Sequence, residues 1–162
     1  MTRIGVLGIG NELMGDDGIG PVLIRLIAET YSGEDDLLIS DEGTGGFNIV
    51  HTLEGLERVL FIDSADMGLP AGEFRVFAPE DVESRKVLPR FSAHEGDLLN
   101  VIELSRALCG SPKEVWILAV QPGSIEIRES LSAELTGNLD VYLKAAERMV
   151  ERLRKETSAP TA

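Results

Sequence analysis

Apolar residues along this chain come in two alternating patterns, short unbroken runs and longer stretches with helical spacing. The runs Ile4 to Ile9, Leu37 to Ser40, Val59 to Asp63, Phe74 to Phe77 and Val115 to Val120 predict five strands. Most are continuous rather than alternating with polar residues, as expected of strands covered on both faces. Between them, Ile19 to Tyr31 sets Ile19, Val22, Leu23, Leu26 and Ile27 on one helical stripe, with Pro21 in the first turn, where its missing N–H costs little. Phe47 to Leu56 predicts a shorter helix begun by the Gly45-Gly46 turn, and Glu95 to Leu108 a longer one. Leu131 to Arg154 predicts one long amphipathic helix capped by Ser132 or Ser130.

This alternation predicts a single α/β domain over residues 1–154, in three layers. Its centre is a mostly parallel, twisted five-stranded sheet with one antiparallel strand, and helices cover both faces. Phe74 to Phe77 is the antiparallel strand, because the turn cluster at residues 67–72 is too short for a crossover helix. It is expected to return antiparallel to the strand ending at Asp63, at a sheet edge. Residues 155–162, polar and proline-containing, predict a flexible tail.

Composition narrows the function classes. With 162 residues, 43% of them hydrophobic, the chain suits one core without disulfides. Fifteen basic against 28 acidic residues leave a formal charge of −13, which repels nucleic acid and anionic membrane surfaces. Neither nucleic acid nor membrane insertion is expected. No run approaches membrane-spanning length, and the opening apolar run is too brief for a secretory signal, so a cytoplasmic location is expected. Cys109, the single cysteine, lies in an apolar-periodic stretch and is expected to be a buried structural thiol.

The candidate chemistry begins in the glycine loop from Gly8 to Gly20. Such a loop between strand and helix ordinarily cradles phosphate on backbone N–H groups, but here Asp16 and Asp17 stand where the anion would sit. The loop suits a cation. Gly8, Gly10 and Gly15 also miss the dinucleotide spacing. In an open parallel sheet, ligands bind beyond the carboxyl ends of the strands. Collecting the residues there gathers Asp16 and Asp17, Asp41 and Glu42, Asp63 and Asp66, with His94 near the start of the third long helix. Two carboxylates and an imidazole offer three donors of the kind that Ni, Zn, Mn or Fe accept, with positions left open.

Taken singly, each residue has a plainer reading: Asp17 as a helix cap, Asp63 as a turn former, His94 as a helix-end histidine. Their convergence on one sheet edge selects the functional reading. His51, within a short helix, reads as structural. A Gly-x-Ser-x-Gly elbow and a His-Glu-x-x-His helix are both missing, so a hydrolase built on this chain must make use of a metal. The alternative is a Mg-dependent receiver-like or flavodoxin-like binding module without protease activity, although Gln121-Pro122-Gly123 follows the last strand where a receiver needs lysine.

Ordered along the chain, Gly8-Ile9-Gly10-Asn11, Met14-Gly15-Asp16-Asp17-Gly18-Ile19-Gly20-Pro21, Asp41-Glu42-Gly43-Thr44-Gly45-Gly46, Ile62-Asp63-Ser64-Ala65-Asp66-Met67-Gly68, Ser92-Ala93-His94, Val120-Gln121-Pro122 and Leu131-Ser132 resemble the maturation endopeptidases of [NiFe] hydrogenases. Asp66-Met67-Gly68 and Gln121-Pro122 are most similar to the branch serving formate-hydrogenlyase-type or coenzyme-F420-type enzymes. The resemblance implies that Asp17, Asp63 and His94 occupy the family's three metal-ligand positions. It implies removal of a C-terminal extension from a hydrogenase large-subunit precursor after nickel insertion, with nickel supplied by that substrate as the recognition element. Cadmium or zinc is expected to substitute in vitro. Gly43, Thr44 and Gly45 are expected to position the substrate chain through backbone groups, and a bulky Gly45 replacement to spare the fold. Glu42 departs from the family pattern, standing where glycine is common. Alanine at Asp17, Asp63 or His94 is expected to affect stability little, as for exposed carboxylates.

Overall fold

A computed structural model describes residues 3–83, 90–91 and 98–158. Its strands are β1 (Ile4–Gly8), β2 (Leu37–Asp41), β3 (Arg58–Asp66), β4 (Phe74–Phe77), the two-residue β5 (Arg90–Phe91) and β6 (Glu114–Val120). The main sheet has the order β2-β1-β3-β6-β4, with β4 antiparallel and the other four strands parallel. β5 pairs antiparallel with Ala65 and Asp66 at the end of β3. The helices are α1 (Ile19–Thr30), α2 (Asn48–Leu53), α3 (Pro79–Glu83), α4 (Leu98–Cys109), α5 (Ala133–Thr136) and α6 (Leu139–Ser158). No helix among the described residues is long and apolar enough to cross a membrane.

Strand alternation divides the core between the two sheet faces. Val6, Leu60, Ile62 and Leu118 meet α1 and α6 on one face, where Leu23, Ile27, Tyr142 and Val150 are fully buried. Leu7, Phe61 and Ile117 meet α2 and α4 on the other, through Ile49, Leu53, Val101 and Ile102. Central strands covered on both sides explain the unbroken apolar runs.

β4 runs antiparallel to β3 at a sheet edge, as expected, and hydrogen-bonds to β6, because β6 occupies the place beside β3 and leaves only its outer edge open. Four expectations change. The long C-terminal helix is two helices: Gly137 and Asn138 break it, and the Asn138 carbonyl starts the second helix by accepting from Val141 and Tyr142. Ser132 sits at the N-cap of α5 without a side-chain capping bond. α6 continues past Arg154 to Ser158. Cys109 is exposed, because α4 ends there and Gly110, at φ 69°, turns the chain away.

α1 lies unusually close to the sheet. A Cβ on Gly20 would stand 2.3 Å from the Ile9 carbonyl oxygen, 2.7 Å from the Ile9 nitrogen and 2.8 Å from the Ile62 oxygen, all backbone atoms. A Cβ on Gly8 would meet the Gly20 oxygen at 2.7 Å from the opposite side. Gly20→Ala should therefore destabilise the protein by about 3 kcal/mol, the upper range for overpacking, read from denaturant unfolding. The two tyrosines give a second test. Burial, reinforced by Glu151 and Glu147, pushes Tyr31 up to about 12, and burial also raises Tyr142. Unfolded tyrosine ionises at about pH 10. Both raised values favour the folded state below that pH, and this contribution should fade as pH rises from about 10 through the folded values. A phenolate absorbance titration and unfolding midpoints across the same range check it.

Candidate functional site

The glycine loop exists to bring carboxylates inside. Residues Gly15–Gly18 form a 3₁₀ turn that precedes α1 directly. Gly10, at φ 148°, lets the chain pass where a Cβ would stand 1.9 Å from the Asp17 carbonyl oxygen. The turn folds back on the strand end, and Asp16 and Asp17 are both fully buried within it.

Their carboxylates do different work. Asp16 Oδ2 accepts from the Gly123 and Ser124 N–H groups at 2.7 and 3.0 Å, and Oδ1 from the Ser132 N–H at 2.6 Å. It gathers the segment between β6 and α5 and fastens it to the turn, reinforced by Asp16 N–H donating to the Ser124 carbonyl. Asp16 is thus a structural clamp. Asp17 Oδ2 accepts from the Asn11 N–H at 3.0 Å, and its Oδ1 from the Ser64 hydroxyl at 3.0 Å. Gly18 holds the N-cap position of α1, so Asp17 is not that helix's cap.

Asp63 is 1% exposed on β3, and its Oδ1 accepts from the Ser64 N–H at 2.8 Å. Ser64 therefore joins the two carboxylates, by its hydroxyl to Asp17 and by its amide to Asp63. The pair lies at the carboxyl end of the two central strands, as the topology rule anticipates. Two carboxylates brought together in a desolvated place favour the arrival of a cation.

The sequence-expected ligand His94 lies outside the described residues. Among the described residues no group of three His, Cys, Asp or Glu side chains is arranged to hold a metal. Asp41 and Asp66, at the same sheet edge, are engaged in turns. Asp41 Oδ1 accepts from the Gly43 N–H, and Asp66 Oδ1 from the Gly68 N–H and from Gln121 Nε2. Gln121 Oε1 in turn accepts from the Met67 and Leu69 N–H groups, fixing the turn after β3. His51 is exposed on α2.

Gly43, Thr44 and Gly45 lie beside the glycine loop, tied to it by the Gly10 N–H donating to the Gly43 carbonyl at 2.7 Å. Gly43 and Gly45 have φ of 57° and 80°, and a Cβ on Gly45 would approach Ile49 Cδ1 at 3.1 Å. A bulky residue at Gly45 would strain this backbone, so it does not spare the local fold. Asp17 and Asp63 likewise differ from the expected exposed carboxylates. Alanine at Asp17 would leave the Ser64 hydroxyl and Asn11 N–H without this acceptor, at a cost of about 1–3 kcal/mol.

Comparison with known proteins gives a consistent result. A family model described as HycI, hydrogenase maturation protease, matches residues 21–153. The chain is 30% identical over 160 residues to the hydrogenase expression/formation protein HupM of Azotobacter chroococcum, covering 95% of this chain and 77% of the relative. It is 32% identical over 124 residues to the hydrogenase 3 maturation protease of Escherichia coli, covering 75% and 74%. Among solved structures, the [NiFe] hydrogenase maturation protease HybD from Thermococcus kodakarensis aligns with a TM-score of 0.75 at 28% identity, over 91% of this chain and 99% of that one. The hydrogenase maturating endopeptidase HybD from E. coli shares the fold with a TM-score of 0.80 at 24% identity, over 96% and 94%.

The division of labour at the acidic pair is testable by stability alone. Asp16→Ala removes three acceptor bonds from buried or half-buried amides and should cost about 3 kcal/mol. Faster amide exchange at Gly123, Ser124 and Ser132 should accompany it.

Proposed function

This chain belongs to the hydrogenase maturation protease family, and we propose that it removes the C-terminal extension of a [NiFe] hydrogenase large-subunit precursor once nickel is in place. It is an endopeptidase in this reading of its substrate, and the nickel is cargo of the substrate rather than a resident cofactor. The observation that carries the proposal is the buried pairing of Asp17 and Asp63 through Ser64 at the sheet's carboxyl end.

Asp17, Asp63 and His94 are the residues that would engage the ion, His94 preceding α4 in the sequence. Carboxylate and imidazole donors fit nickel, and they lack the soft thiolates that would compete for it. Such a set senses the ion without stripping it from the precursor. Discrimination follows from charge: a nickel-loaded precursor brings a cation to two desolvated carboxylates, whereas an unloaded one brings none. Gly43, Thr44 and Gly45 position the substrate chain through backbone groups. Their support is the open space around Gly43 and the hydrogen bond that sets this loop against Gly10.

The test is incubation with the precursor carrying nickel and with the same precursor free of it. Shortening of the loaded form alone is expected. Asp17→Asn, Asp63→Asn and His94→Ala should each slow processing by a factor on the order of a hundred, with unfolding midpoints recorded to separate lost chemistry from lost fold. Equal cleavage of the unloaded precursor would remove nickel from the account.

A further inference from the structure

Glu42 is the site's unexplained carboxylate. Its Oε1 is buried and accepts no hydrogen bond. A buried carboxylate oxygen left without a donor is unfavourable, and such groups in native proteins call for a reason. The backbone around it is firmly set, because the Glu42 N–H donates to the Gly8 carbonyl at 2.8 Å and its own carbonyl accepts from Gly45 at 3.1 Å.

The sheet register places this residue relative to Asp63. Gly8 pairs with Asp41 on one side and with Ile62 on the other. Glu42 and Asp63, each one residue further on, therefore stand at one level on either side of Ile9, whose N–H donates to the Ile62 carbonyl at 2.9 Å. Parallel neighbours at one level share a face, here the face of Leu7, Ile9 and Phe61 that α2 and α4 cover. Two interstrand spacings separate the backbones of Glu42 and Asp63, about 10 Å.

Resting on the protease reading above, we propose that Glu42 is a specificity residue that receives a basic side chain, lysine or arginine, of the substrate segment lying across the sheet end. A cation fits better than a neutral donor, because Asp41 precedes Glu42 and the chain carries a formal charge of −13. An extended peptide advances about 3.3 Å per residue, so the basic residue lies about three positions along the substrate from the residue seated at Asp63.

The experiment measures kcat and KM on the nickel-loaded precursor for the wild type, Glu42→Gln and Glu42→Lys. Glu42→Gln keeps an acceptor but loses the charge, and should raise KM about tenfold with kcat within about twofold. Glu42→Lys should process a precursor whose matching basic residue is changed to glutamate better than it processes the unaltered one. Glu42→Met, which removes the lone acceptor, should unfold at no lower denaturant concentration than the wild type. An unchanged KM in Glu42→Gln overturns the proposal while leaving the protease reading intact, and would point to a neutral N–H donor. A clear loss of stability in Glu42→Met also overturns it, by making Glu42 a structural residue. A wild type that fails to process any loaded precursor removes the protease reading and this inference together.

Discussion

The close approach of the first helix to the two central strands governs the rest of this molecule. It depends on the absence of side chains at Gly8, Gly10 and Gly20, where a Cβ would collide with backbone atoms of the neighbouring segment. Because those atoms belong to packed strands and a helix start, they have little room to yield. The result is a turn that enters the protein directly at the carboxyl end of β1, carrying two aspartates out of water. A looser loop would leave both carboxylates in solvent, where neither would order its surroundings or favour a cation.

Burial makes the adjacent aspartates specialised. Asp16 spends its acceptor capacity on three amides of the segment joining β6 to α5, which locks one wall of the site to the turn that forms its floor. Asp17 meets the β3 end through the Ser64 hydroxyl and so holds a fixed relation to Asp63. A charge placed in such a frame acts through geometry set before any ligand arrives, which is the condition for electrostatic recognition in a water-poor place. This arrangement suits the proposed recognition of a cation held by another protein, which requires carboxylates that do not rearrange.

Much of the fold was legible because its elements obey simple periodicities. Unbroken apolar runs identified β1, β2, β3, β4 and β6 within a few residues, and the stripe through Ile19, Leu23 and Ile27 identified α1. The misjudged features depended on partners distant in the chain. The exposure of Cys109 was decided by where α4 leaves the sheet. The break at Gly137-Asn138 carried a local signal in two poor helix formers, outweighed in the reading by the apolar stripe on either side.

The candidate site divides in the same manner. Residue types and their place after strands were enough to gather Asp17 and Asp63, because strand ends in a parallel sheet share one edge whatever the packing details. The sequence by itself thus determined the family, the α/β architecture and the acidic character of that edge. Only the tertiary structure decided that Asp16 is a clamp while Asp17 faces β3, that Ser64 joins the pair, and that Glu42 stands level with Asp63 with an oxygen unsatisfied. The physical reason is that the sequence records which groups are charged, whereas burial and hydrogen-bond partners arise from segments far apart in the chain, as Asp16 and Ser132 are at a separation of 116 residues.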